Sequence, residues 1–362
     1  MKIDKVDILI VGAGASGAAA AWNLSKSGYE IVCLEQGPFL NSKSYSFNQS
    51  KWEKLKQKEF NINPNIRKLR SDYPIDDSMS PISIANFNAV GGSTILYSGH
   101  FPRFHPSDFK TRTLDDVSSD WPFTYKDLEP YYNLNDKIMG VTGIQGDPAY
   151  PPIQNLLPHV PLELSGEIIA KSFNKLGWHW WPSYSAIVKS KYKNKKKGNR
   201  STVDSTYWPK ALKNGVKLRS NCRVIKIVTN NFGQVDGVIY KDHNDKEIMQ
   251  KASLVILACN GIGTPRLLLN SKNKSFPNGL ANSSGLVGKN LMLHPLGYVE
   301  GKFDKFLGSF IGPEGCCIFS HEFYETDRSL KHKRGYTIQV LRGAGPLETA
   351  LSARKFKKLN FG

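Results

Sequence analysis

The most constraining stretch of this chain is Gly12-Ala13-Gly14-Ala15-Ser16-Gly17, three glycines in the spacing Gly-x-Gly-x-x-Gly. That spacing arises often by chance, so its surroundings decide its meaning. The apolar run Val6-Asp7-Ile8-Leu9-Ile10-Val11 leads into it and reads as a buried parallel strand entering a tight turn. An alanine-rich stretch from Ala18 to Lys26 then predicts a helix, stopped by Gly28. A second strand, from Glu30 to Leu34, delivers Glu35 at its end. Strand, glycine turn, helix, strand and acid make one mononucleotide-binding unit in about thirty residues.

Each glycine has a physical task in such a unit. Gly12 permits the turn, Gly14 lets backbone approach a pyrophosphate, and Gly17 lets the helix pack closely on the strand. The helix N-terminal amides then face the phosphates. Glu35 is placed to accept hydrogen bonds from an adenosine ribose and repels a 2′-phosphate, which disfavours NADP. NAD and FAD both fit this pattern. A flavoenzyme fed by nicotinamide needs a second dinucleotide site, and Gly261, Gly263, Gly343 and Gly345 do not supply one. If the cofactor is FAD, the substrate or a separate redox partner must exchange electrons with it, as in a dehydrogenase or oxidase.

A length of 362 residues allows about two domains. Hydrophobic residues at 40% and charged residues at 22% are ordinary for a globular protein. No window approaches the roughly 18 consecutive apolar residues of a membrane span. Residues 1–6 leave no room for the apolar core of a signal peptide, so a cytoplasmic location is expected. The formal charge of +18 raises nucleic acid as a partner. Its densest cluster, Lys189, Lys191, Lys193, Lys195, Lys196, Lys197 and Arg200, sits in a polar Asn/Gly stretch with one aromatic, Tyr192, and reads as a solvated loop; no nucleic-acid partner is expected. Surplus lysine would also steer anionic substrates inward. Cys33, Cys222, Cys259, Cys316 and Cys317 show no metal-binding spacing and read as buried reduced thiols.

Periodicity predicts helices near residues 52–58, 125–141, 164–176 and 201–214, and a strand pair over 216–228. Turns are expected at 231–233 and 243–245. The apolar run at 254–258 returns a core strand to the dinucleotide unit, followed by a helix containing Arg266. The Pro-rich connection 148–161 marks a crossover, and the pattern weakens beyond Lys302.

Four segments, in order, resemble the glucose-methanol-choline (GMC) flavoprotein oxidoreductases. They are the glycine turn with Leu34-Glu35-Gln36-Gly37; Val90-Gly91-Gly92-Ser93-Thr94 continued by Phe101-Pro102-Arg103-Phe104 and Trp121-Pro122; Ala258-Cys259-Asn260-Gly261-Ile262-Gly263-Thr264-Pro265; and Gly288-Lys289-Asn290-Leu291-Met292-Leu293-His294-Pro295. The stretch 120–132 looks most like the sugar and sugar-acid branch, which includes pyranose oxidases and gluconate dehydrogenase flavoprotein subunits. The resemblance implies an α/β fold, a Rossmann-like FAD-binding domain with an inserted α+β substrate domain, C-terminally incomplete. The expected divisions are 1–139 and 251–298 for the FAD domain, 140–250 for the inserted region and 299–362 for the start of a truncated substrate domain.

The resemblance further implies FAD bound by Gly12, Gly14, Ala15, Ser16, Gly17 and Glu35, with Gly91, Gly92 and Ser93 near the isoalloxazine and pyrophosphate. Val224 would touch the adenine by its backbone, and Ala258 of the third segment would join the cofactor contacts. Some members hold FAD covalently through a histidine shortly after the double glycine; Leu96 occupies that place, so FAD is expected to be non-covalent. His100 is out of register. Asn260 replaces a glycine, and asparagine tolerates the left-handed conformation better than most residues.

In such enzymes a histidine takes the hydroxyl proton while the carbon gives hydride to flavin N5, which needs the base within about 3 Å of that oxygen. That base lies far towards the C-terminus, paired with histidine or asparagine, and nothing after His332 supplies it here. His294 matches a family position and is the remaining candidate, although that position more often supports the fold near the cofactor. His179, within Gly177-Trp178-His179-Trp180-Trp181, reads either as a sugar-stacking surface or as packed core. His105, His159, His243, His321 and His332 have no recognisable partner in the sequence. Three readings stand. The first is an FAD-dependent oxidoreductase acting on CH–OH groups of a sugar, sugar acid or polyol, with a quinone, a cytochrome or another electron-acceptor protein, or oxygen, as acceptor. The second is a flavin-binding fragment or subunit needing a second chain for its catalytic histidine, and the third is an NAD-binding dehydrogenase.

Overall fold

The first strand, β1 (Lys5–Val11), carries four successive apolar residues because both faces of its sheet are covered; Leu9 and Ile10 are fully buried. The computed structural model describes residues 5–45, 51–72, 75–188, 199–301, 303–308, 310, 315–330, 333–342 and 345–355. Helix α1 (Ala15–Leu24) follows β1 and buries its small residues Gly17, Ala18 and Ala21, so it lies close against the sheet. Strand β2 (Ile31–Leu34) returns parallel to β1, pairing Ile8 with Ile31 and Val11 with Leu34.

The chain separates into two compact units, the first comprising Met1–Tyr45, Leu55–Leu96 and Thr202–Glu300. In it, helix α2 (Val203–Lys213) precedes β3 (Lys217–Arg219), which pairs parallel with β2. A meander follows: β4 (Arg223–Thr229), β5 (Val235–Lys241) and β6 (Glu247–Leu257), then helix α3 (Asn260–Asn270). The sheet order is β3-β2-β1-β6-β5-β4. Strand β6 serves two neighbours in turn. Its first part runs antiparallel to β5 from Glu247 to Lys251, and its later part runs parallel to β1 from Lys251 to Leu257. Beyond Lys251, β6 has no second strand beside it among the described residues, and Leu254 is 52% exposed. One core, containing Leu9, Val32, Leu34, Val224, Ile227, Val238 and Leu267, joins the parallel strands to the meander.

The second unit comprises Ser46–Lys54, Tyr97–Ser201 and Gly301–Gly362. Its helix Tyr125–Met139 starts at a Thr124/Asp127 capping box and ends at Gly140 in the left-handed conformation. A second helix, Glu163–Leu176, packs on a three-stranded antiparallel sheet of Ile338–Leu341, Cys316–Ser320 and Trp181–Pro182, with Ile318 and Phe319 fully buried. Among the described residues no helix is long and apolar enough to cross a membrane.

Several elements lie where sequence did not place them. The segment 202–250, expected in an inserted region, belongs with the dinucleotide unit, whereas 97–139 does not. The reason is tertiary: α2 packs on α1, with Tyr207 edge-on to Trp22, and leads into a strand that extends the same sheet beside β2. Strands also occur beyond Lys302, where the pattern weakens, because Cys316–Ser320 is buried on both faces and shows no alternation. Most of the basic run 189–200 lies outside the described residues, as does His332. Arg200, at its end, is buried and donates to the Tyr97 carbonyl at 2.6 Å rather than facing solvent.

Candidate functional site

Two glycine turns meet at the N-terminus of α1. The first leaves β1 at Gly12, whose φ of +102° suits glycine and whose added Cβ would stand 2.5 Å from the Ala258 carbonyl oxygen. Gly17 packs still closer: a Cβ there would lie 1.9 Å from the Gly12 oxygen. The second turn, Gly91-Gly92, has φ of +103° and +55°, and a Cβ on Gly92 would reach 2.8 Å from Gly14 Cα. Bare backbone therefore faces bare backbone at the mouth of α1. Gly14 is the N-cap of this helix, with no side-chain cap and no acid in the first turn. The helix amides and the positive end of its dipole are left for an anion.

Around this junction lies a cavity of about 260 Å³. Gly12, Gly14, Ala15, Ser16, Glu35, Gly92, Ser93, Val224 and Ala258 line it, so most of the expected contact residues come together. Gly17 and Gly91 are not in the lining; a Cβ on them would meet the Gly12 oxygen and the Asp204 side chain. His294 does not join them: it sits in the irregular, exposed stretch 291–300. Residues not expected among the cofactor contacts also line the cavity, among them Asn88, Thr94, Cys222, Cys259 and Arg266. Arg266 was visible only as part of a helix; nothing in the linear pattern aimed its charge here. Asn260 adopts φ +66°, and its side chain accepts the Ile262 and Gly263 amides at 2.8 and 2.9 Å.

Glu35 is buried, and each carboxylate oxygen accepts one backbone amide at 2.8 Å, from Ala13 and from Gly37. Burial raises its pKa to about 7, against the lowering effect of those amides. Burial likewise pushes the Cys259 thiol up to about 11, so it is a poor nucleophile at neutral pH. The Ala13 peptide is held from several sides. Its N–H goes to Glu35, and its carbonyl accepts Gly91 N–H at 3.0 Å and the Trp208 indole N–H at 2.9 Å. Behind the second turn, Thr94 Oγ1 donates to the Gly91 carbonyl at 2.6 Å and accepts Val203 N–H at 3.3 Å, and Tyr45 donates to Asp204.

Three histidines, His105, His179 and His321, gather in the second unit. His179 Nε2 meets Asp147 at 2.9 Å, and its Nδ1 accepts the His321 backbone amide at 3.0 Å, which makes Nε2 the protonated nitrogen. His105 stacks on Tyr324 at 4.1 Å between centroids and packs against Tyr150 and His321 at 4.4 and 4.6 Å. Asp108, bonded to Tyr324 and Arg334, closes the cluster. Burial pulls the pKa of His105 down to about 4 and that of His321 to about 3. These partners are up to about two hundred residues apart, and no local signal in the sequence announced them.

A glycine-on-glycine junction, an uncapped helix N-terminus and a buried acid at the end of the second strand define a dinucleotide-binding oxidoreductase fold. The residues present fit such a group, since side chains at Gly12 or Gly92 would fill the cradle. The chain belongs to the GMC oxidoreductase family, whose model matches residues 6–296. It is 36% identical to 2-methyl-1,2-propanediol dehydrogenase of Mycolicibacterium austroafricanum over 99% of this chain and 70% of that protein. It is 27% identical to the fructose dehydrogenase large subunit of Gluconobacter japonicus over 80% of this chain and 58% of that protein. Among solved structures, pyridoxine 4-oxidase from Mesorbium loti superposes with a TM-score of 0.53 at 20% identity, covering 74% of this chain and 52% of that one, a likeness of fold.

Proposed function

We propose that this chain binds FAD non-covalently in the cradle of its first unit and takes part in oxidising a CH–OH group of a small polyol, sugar or sugar acid. The observation that carries the reading is the meeting of Gly14 and Gly92 over a cavity bordered by Glu35. Gly12, Gly14, Ala15 and Ser16 would receive the pyrophosphate on the amides of α1, Glu35 would accept the ribose hydroxyls, and Val224 would border the adenine. Gly91, Gly92 and Ser93 would approach the flavin side, where Leu96 offers no group for a covalent link. When bound, FAD supplies the hydride acceptor. The chain's own contribution is to exclude water and fix orientation through backbone donors that need no reorganisation. The first unit is the cofactor domain in this reading and the second the substrate domain. The relatives' names, a diol dehydrogenase and a fructose dehydrogenase subunit, support an alcohol substrate.

A second reading concerns the base. Among the described residues no histidine lines the cavity, and the later part of β6 is paired on one side only. Both observations favour a cradle that works with a further polypeptide segment, one that covers the β6 edge and brings the proton acceptor. Absorbance of the purified chain with FAD, followed by anaerobic addition of short diols, hexoses and sugar acids, separates the readings. Bound flavin that bleaches with one of these supports the complete oxidoreductase, bound flavin that never bleaches supports the second reading, and no bound flavin overturns both.

A further inference from the structure

The Ala13 carbonyl has two donors drawn from far along the chain, Gly91 N–H and the indole of Trp208, the latter 195 residues away. Trp208 is the largest fully buried side chain among the described residues and sits in α2, which packs against α1. Buried indole N–H groups need a partner, and this one donates to the phosphate turn.

The consequence follows from peptide geometry. The Ala13 carbonyl and the Gly14 N–H belong to one planar trans unit and point in opposite directions. Anchoring the carbonyl towards Trp208 and Gly91 therefore sets the direction of the Gly14 N–H, an amide that α1 does not use and that lies at the cavity. The preceding peptide is fixed in the same way, since Ala13 N–H is held by Glu35. Glycines on both sides leave this stretch free to rotate its peptide planes unless something holds them.

We propose that Trp208 is a positioning residue for the dinucleotide: its indole N–H locks the Ala13–Gly14 peptide so that the Gly14 amide is presented to the pyrophosphate. This rests on the reading of the cradle as an FAD site. Loss of the indole donor leaves the carbonyl with Gly91 N–H alone, so the fold loses about one hydrogen bond while the peptide plane gains room to tilt. Ligand affinity and fold stability thus respond differently.

The test replaces Trp208 in the full chain with β-(3-benzothienyl)alanine, which keeps the ring shape and lacks the N–H, and in parallel with 5-fluorotryptophan, which keeps it. FAD and ADP are titrated by fluorescence and calorimetry. The benzothienyl chain is expected to bind both ligands roughly tenfold more weakly, the worth of one buried hydrogen bond. Its melting temperature should fall by only a few degrees, about the cost of one hydrogen bond, and the fluorotryptophan chain should retain wild-type affinity. Equal affinity of the benzothienyl and wild-type chains for both ligands overturns the inference alone. A wild-type chain that binds neither FAD nor ADP overturns the reading of the cradle and the inference with it. Should the benzothienyl chain not fold, indole N–H resonances of the ¹⁵N-tryptophan-labelled wild type decide: the buried Trp208 signal shifts on saturation with ADP if the inference holds, and an unmoved signal overturns it.

Discussion

The two units each hold a dense polar cluster, and the clusters are opposites. The cradle of the first unit is made of backbone, with glycine against glycine, amides uncapped and a cavity left between them. In the second unit His105, His179, His321, Tyr150 and Tyr324 fill one another's space and direct most of their hydrogen bonds inward, with the buried His105 Nε2 left without a hydrogen-bond partner. A group of histidines and tyrosines looks more like chemistry than a row of glycines does. The difference teaches that a binding site is recognised by donors left pointing at open volume, and a packed cluster by polar groups mostly paired with one another.

The sharpest way to break this comparison is to fill the cradle. Gly12→Val meets a carbonyl oxygen at a φ that valine rarely adopts, a strain of about 3 kcal/mol or more. FAD uptake should fall at least about a hundredfold in an equilibrium titration. Next comes pH, to which the two clusters respond with opposite sign. The raised pKa of Glu35 means that the folded chain keeps a proton that the unfolded chain loses. Its contribution is therefore present in acid and is lost as pH rises from about 4.5 to about 7. The loss is on the order of 3 kcal/mol. His105 and His321, with lowered values, contribute above about 6.5 and lose that contribution as pH falls towards 4. Glu35→Gln should flatten the first dependence and leave the second, as read from urea unfolding of the FAD-free chain across pH 4 to 8.

A smaller effect is expected from His321→Leu, which removes the bonds to Tyr150 and Thr337. It should lower unfolding stability by about 2 kcal/mol and leave FAD affinity within about twofold. An FAD affinity that collapsed with it would mean that the second cluster is not merely structural. The smallest is Ser16→Ala, which removes one side-chain hydroxyl from a lining that keeps those of Ser93 and Thr94, and should weaken FAD by about threefold in the same titration.

The extent to which sequence foretold the molecule follows the range of the interactions. The unit built on β1, α1 and β2 was legible because its glycines, alanines and terminal acid act on near neighbours. The turns at Gly233 and Asp245 were legible for the same reason, both having positive φ. The helix at 203–213 was readable as a helix but not as part of the first unit, because what places it is contact with α1 and the sheet position of β3. His294 looked like a candidate base from its segment, and the structure leaves it exposed and outside the cavity lining.

By itself the sequence determined the glycine turn between β1 and α1 and the acid that follows β2, since Gly12, Gly14, Gly17 and Glu35 are constrained by backbone sterics and strand ends that operate within one short unit. Only the tertiary structure decided that Gly92 lies on Gly14, that Arg266 borders the same cavity and that Trp208 holds the Ala13 carbonyl. Those contacts join segments roughly eighty to two hundred and fifty residues apart. Their pairing depends on how the sheet and helices pack, and no local propensity encodes it.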